Sequence, residues 1–169
     1  MKNWIKCATL AGLIATVACS PVSADAGRHG AAPAAGATAA PQVHPVSGLT
    51  VVPLSVTTIS GPHAFRVEVA ATPGEQERGL MFRTSMGADE GMIFPMDPPR
   101  RTAFWMRNTV LSLDIVFIGA DHKVLNVAAN AIPYDETPLP SDGPAAAVLE
   151  LNAGRAAQIG LAPGDRVDW

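Results

Sequence analysis

Cysteine is all but missing from this chain of 169 residues, which holds only Cys7 and Cys19, both near the N-terminus. A mature form cut after Ala24 has none, so disulfides, thiolate nucleophiles and thiolate metal sites are excluded from it. A long apolar run is lacking too. The apolar stretch from Leu10 to Val17 is shorter than the roughly 20 residues that span a bilayer. Clustered basic charge is absent as well: the net charge of −3 becomes −5 once Lys2 and Lys6 are removed, which argues against a nucleic-acid surface. Familiar catalytic sets are missing: there is no Gly-x-Ser-x-Gly elbow, no phosphate-binding glycine loop and no His-Glu-x-x-His. His63 opens a strand and His122 sits in a turn, so no histidine is poised as a general base. No cofactor and no metal are expected.

What is present is organised in three parts. Residues 1–24 start with Lys2 and Lys6, continue through an apolar stretch and end in small residues, the pattern of a secretory signal. Two exits are written there. Val22-Ser23-Ala24 is an ordinary cleavage site, whereas Thr16-Val17-Ala18-Cys19 resembles a bacterial lipobox that ends the signal at residue 18 and lipidates Cys19. The implied location is the periplasm, either free or attached to the outer membrane through that lipid. Residues 25–48 are Ala, Pro, Gly and small polar residues without apolar periodicity, a composition that reads as a flexible tether with His29 and His44 solvated.

Residues 49–169 read as one β-rich domain. Leu49–Thr58 is a strand, placed at an edge by Pro53. From His63 to Ala70, Phe65, Val67 and Val69 alternate with Arg66 and Glu68, the period of a half-buried strand. Thr72-Pro73-Gly74-Glu75 is a capped helix start, stopped by Gly79. Strands follow at 92–94, 102–106, 113–118, 123–129, 147–151 and 166–169. Pro95, Asp97, Pro98 and Pro99 make a loop, residues 132–143 an irregular one, and Asn152 caps a second short helix over 153–159. The expected fold is mainly β, a compact sandwich or barrel-like domain with two short helices.

Gly79-Leu80-Met81-Phe82-Arg83, Gly91-Met92-Ile93-Phe94, Phe104-Trp105-Met106-Arg107-Asn108-Thr109 and Leu113-Asp114-Ile115 stand in this order and spacing. Val148-Leu149-Glu150-Leu151, Ala153-Gly154 and Gly160-Leu161-Ala162-Pro163-Gly164-Asp165 follow. Together they closely resemble the family called domain of unknown function 192, over about residues 65–167. The resemblance implies a compact, mainly β fold with short helices. It implies no established activity.

Seven residues are candidates for ligand binding: Arg83, Trp105, Arg107, Asn108, Thr109, Asp114 and Glu150. The strand 113–118 is apolar on both faces, so Asp114 at its start is buried and needs partners. Arg83, Asn108 and Thr109 would serve in a ligand cleft; the alternative is a structural carboxylate taking amides of the Asn108–Thr109 connection. With Phe104 and Met106 inward, Trp105 faces out beside Arg107, ready to stack on a sugar ring or a peptide side chain; otherwise it covers a second core under the proline-rich loop. Arg83, Arg100, Arg101 and Arg107 outline either an anion site or a solvated face. Glu150 lies opposite Leu149 and Leu151 and pairs with Asp114 in a glycosidase-type alternative. The sequence thus favours an exported, non-enzymatic module that binds a small molecule, a glycan or an envelope protein. An envelope-polymer hydrolase or lyase and a structural assembly partner are the alternatives.

Overall fold

The computed structural model describes residues 42–169; the expected signal segment, its two cleavage sites, Cys19 and His29 lie outside them. Ten strands and two helices follow one another: β1 (Gln42–Val43), β2 (Thr50–Thr58), β3 (Gly61–Val69), α1 (Pro73–Arg78), β4 (Glu90–Arg100), β5 (Ala103–Phe104), β6 (Leu113–Ile118), β7 (Val124–Ala131), β8 (Leu139–Pro140), β9 (Ala145–Asn152), α2 (Arg155–Ile159) and β10 (Arg166–Asp168). The domain is mainly β and sandwich-like, with two short helices.

The main sheet runs β1-β2-β3-β4-β9-β6-β7, and β10 pairs with β2 on the same side as β1. Only β3 and β4 are parallel, and the crossover between them carries α1. The sheet curls without closing. Its two ends approach where Lys123 bridges Arg166 and Val167 N–H donates to the His122 carbonyl.

Curling produces two cores. Leu54, Val56, Phe65, Val67, Ile93, Val116, Ile118, Leu149, Leu151 and Val167 fill the inside, with Ile159 of α2 added from one end. The opposite parity of β4, β6 and β9 supplies Met92, Phe94, Leu113, Ile115, Phe117 and Val148 to a second core, which Leu80 and Met106 cover. Every residue of β6 is consequently buried, as its doubly apolar pattern predicts. The two faces of the central strands are therefore inside, and neither is solvated.

Close packing at the centre depends on Gly91. A Cβ built there would stand 2.5 Å from the Glu150 carbonyl oxygen and 3.0 Å from a Leu151 methyl. Gly91→Ala must push β4 away from β9, and the expected cost is about 3 kcal/mol in urea denaturation. A loss below about 1 kcal/mol would show that the two strands can separate freely.

Several local expectations need correction. Residues 42–48, read as the end of the tether, fold onto the domain: Gln42 and Val43 pair with Val51 and Thr50, and Gly48 N–H closes a turn on the His44 carbonyl. The strand expected to end at Phe94 continues to Arg100 through Pro95, Pro98 and Pro99, where the ladder to β9 is irregular and needs fewer amide donors. The strand expected over 102–106 shrinks to Ala103–Phe104, paired with β8. Asn152 does not cap α2; its side-chain amide donates to the Met86 and Gly87 carbonyls, and the cap is Gly154. At α1 the expectation holds, with a full capping box between Thr72 and Glu75.

Candidate functional site

Most of the candidate residues line a cleft of about 600 Å³ between the end of α1 and the segment after β5. Trp105, Arg107, Asn108, Thr109 and Glu150 all line it. Five of the seven sequence candidates thus converge.

The segment 105–109 is held from both sides. Met106 is buried in the second core and its N–H donates to the Asp135 carbonyl. A tight turn follows, closed by Thr109 N–H on the Met106 carbonyl, while the Thr109 hydroxyl donates to the Arg107 carbonyl. Asn108 takes a left-handed backbone (φ 54°), a conformation that Asn tolerates. With Met106 inward, Trp105 is turned out and 48% exposed, and the Arg107 guanidinium lies 5.9 Å from the indole centroid. Trp105 therefore does not cover the second core; Phe104 packs against that core, edge-on to Phe94 at 5.0 Å.

The opposite wall begins at α1 and includes Glu77, Arg78, Gly79, Leu80, Met81 and Phe82. Phe82 also has a left-handed backbone (φ 62°), and its N–H donates to the Asn108 carbonyl across the cleft. A bulky residue in that conformation is strained, and its ring is 62% exposed at the rim. Tyr134 repeats the device on the other side of the loop, with φ 64° and its N–H on the Thr109 carbonyl. Residues 79–82 stand in the block that carries the family resemblance, yet none of them was a site candidate from the sequence.

Glu150 is the chemically distinctive group. It is 5% exposed on β9, opposite Met92 of β4 and Ile115 of β6. Among the described residues its Oε2 has no hydrogen-bond partner. Burial among these apolar neighbours pushes its pKa up to about 8, because the charged form loses water and gains nothing in return. The carboxyl is neutral at pH 7. The other buried unpartnered atom, Arg155 Nε, belongs to a guanidinium already bonded to Asp89 and Gln158.

Two candidates stand elsewhere. Asp114 is fully buried on the first-core face of β6; its Oδ1 accepts from Asn130 N–H and its Oδ2 from Ala156 N–H, both at 2.8 Å. Its partners are neither Arg83 nor the Asn108–Thr109 connection. It is a structural carboxylate, and side-chain parity places it on the sheet face opposite Glu150, so the two form no acid–base pair. Arg83 is neither a free anion site nor a solvated surface residue. It makes a two-pronged pair with the buried Glu68 at 2.8 and 3.0 Å, and Ser47 also donates to that carboxylate. Glu68, expected on the solvated face of β3, is covered because residues 44–48 fold over it. His44, expected in solvent, stands 3.7 Å from Glu68. Arg83 lines a neighbouring groove of about 860 Å³ rather than the Trp105 cleft.

The site and fold define a small, curled, mainly β domain with an aromatic-rimmed cleft over a neutral carboxyl. The sequence model of the family described as Uncharacterized ACR, DUF192, matches residues 55–169, and the chain belongs to that family. It is similar to a crystal structure of a protein of unknown function from Novosphingobium aromaticivorans, with 61% identity, 78% of this chain and 94% of that one covered, and a TM-score of 0.76. It is also similar to a Sinorhizobium meliloti protein described as a candidate transcription regulator, with 40% identity, coverage of 71% and 94%, and a TM-score of 0.69. No curated protein matches.

Proposed function

We propose that this protein is an exported, non-enzymatic binding module of the cell envelope that holds a glycan in the Trp105 cleft. The observation that carries the reading is the half-exposed Trp105 indole, backed by Arg107, at the wall of a cleft large enough for one or two sugar rings. An indole face gives a sugar ring a flat apolar platform, while Asn108, Arg78 and Glu77 supply polar groups beside it. The basic, apolar N-terminal segment supports export, with soluble release or a lipid on Cys19 deciding attachment. Hydrolysis through Asp114 and Glu150 is set aside, since Asp114 is committed to main-chain amides.

Titration of the protein with envelope-type oligosaccharides, read by isothermal titration calorimetry, tests this. Trp105→Ala is expected to weaken binding about tenfold, roughly 1.4 kcal/mol, and to leave the melting temperature unchanged because the ring is exposed. Silence toward every oligosaccharide would remove the glycan reading. A docking face for an envelope protein is the second reading, favoured by the exposed rings of Phe82 and Tyr134. Crosslinking to a defined partner that depends on those rings, with sugars inert, would move the assignment there.

A further inference from the structure

Resting on the glycan reading, we infer that the ligand is an extended chain of sugars, which runs from the Trp105 cleft across Phe82 into the neighbouring groove beside residues 44–49. The cleft and that groove share Gly74, Arg78, Gly79, Met81 and Phe82, so α1 and the turn after it are the wall between them. At about 600 and 860 Å³, each has the size of a whole small-ligand site. A ligand of one or two rings fills the first and leaves the second empty.

Phe82 is the link. Its ring is 62% exposed, and the residue lines both recesses. Its left-handed backbone (φ 62°) is held by its N–H on the Asn108 carbonyl. Such strain persists only where the surroundings impose it. Here the hydrogen bond ties a second aromatic platform to the segment that carries the first, Trp105. Successive rings of a chain call for successive platforms, and an aromatic face receives the apolar face of a sugar. The polar groups agree. Arg66, Arg83, Arg155 and Arg166 are each bonded to another side chain of the domain. The Arg78 guanidinium, on the shared wall, has no partner among the described residues and is open to ligand hydroxyls. The acids of the second groove are occupied: Glu75 takes the Ala71 and Thr72 amides, and Glu90 takes that of Gly87. Thr84 and Ser85 place hydroxyls there beside the apolar Val46 and Met86, the mixture of hydrogen-bonding and apolar groups that a sugar needs.

The test compares two-unit and six-unit chains by calorimetry, in three chemistries: β-1,4-linked glucose, β-1,4-linked N-acetylglucosamine and α-1,4-linked galacturonic acid. A six-unit chain offers a two-unit site about five registers, so counting alone raises its affinity about fivefold. A second contact made by the same molecule adds far more, and the six-unit chain is expected to bind at least ~50-fold more tightly than the two-unit chain of the same chemistry. Trp105→Ala should weaken both lengths and leave that ratio in place. Phe82→Asn removes the ring with a residue that tolerates the left-handed backbone, and it should bring the ratio down to the counting value of about five. Val46→Asp changes a residue that is 76% exposed and lines the second groove but not the cleft. It should lower the ratio at least ~threefold and leave the melting temperature unchanged. A wild-type ratio no larger than the counting value, or a ratio that survives either Phe82→Asn or Val46→Asp, would overturn the inference and leave the glycan reading standing. Binding of none of the chains, in a protein that melts normally, would overturn both.

Discussion

Asp114→Ala is expected to cost about 4 kcal/mol of folding stability, a large share of the roughly 5–15 kcal/mol available to a domain of this kind. The reason is topological. Opposite Asp114 the ladder between β6 and β7 slips, since Leu113 pairs with Ala131 but Ile115 pairs with Ala128. The bulge leaves the Asn130 amide, on a left-handed residue, without a ladder partner, and Asp114 Oδ1 takes it. At the other oxygen, α2 begins at Gly154, which offers no side-chain cap, and Ala156 N–H is capped by Asp114 Oδ2 from across the fold. A carboxylate at the N-terminus of a helix also answers the positive end of its dipole. Each charge-assisted hydrogen bond contributes about 1.5–3 kcal/mol, and alanine would leave the buried Ala156 amide unsatisfied and give the part-buried Asn130 amide up to water. Asp114→Asn keeps the shape but turns one oxygen into a donor facing a donor, so about 2 kcal/mol is the expected loss. Urea denaturation measures both. A cost below about 1 kcal/mol for the alanine variant would show that the bulge and α2 do not depend on this residue.

The second large effect is a pH dependence set by Glu150. Its folded pKa of about 8 lies above the ordinary carboxylate value of 4.5. Between those values the native state holds a proton that the unfolded chain releases, so stability falls as pH rises through the window and levels off above about 8. Below pH 4.5 both states are protonated and Glu150 contributes no slope. Glu150→Gln removes the proton exchange while keeping the shape. The variant should match the wild type near pH 4 and exceed it by a few kcal/mol at pH 8. Denaturation at a series of pH values reads the difference directly; parallel curves for the two proteins would mean that the carboxylate is solvated after all.

Much of this was legible along the chain, and what was not follows one physical pattern. Strand β6 was readable to its boundaries because six consecutive residues with both parities apolar can only be buried on both sides. The capping box at Thr72 was readable because its partners are three residues apart. Alternation also placed Glu150 opposite its leucines, whereas for Trp105 it left open an outward ring or a cover over a second core. Contacts between distant segments were hidden. Asp114 reads as a residue beside a turn, yet its partners are Asn130 and Ala156, brought in by a bulge and by the turn from β9 into α2. Glu68 alternates like a surface residue, and only residues 44–48, indistinguishable by composition from a tether, bury it against Arg83. The prolines after Phe94 announced a loop, whereas β4 continues where its ladder is irregular. The far wall of the cleft, Arg78 to Phe82, overlaps the Gly79–Arg83 block of the family resemblance, but nothing in that block says that it faces Trp105.

The central claim is that burial keeps the Glu150 carboxyl beside the cleft protonated near neutral pH, and titration of its side-chain carboxyl carbon by NMR tests it most directly. The account predicts a midpoint near pH 8. A midpoint near 4.5 would contradict it.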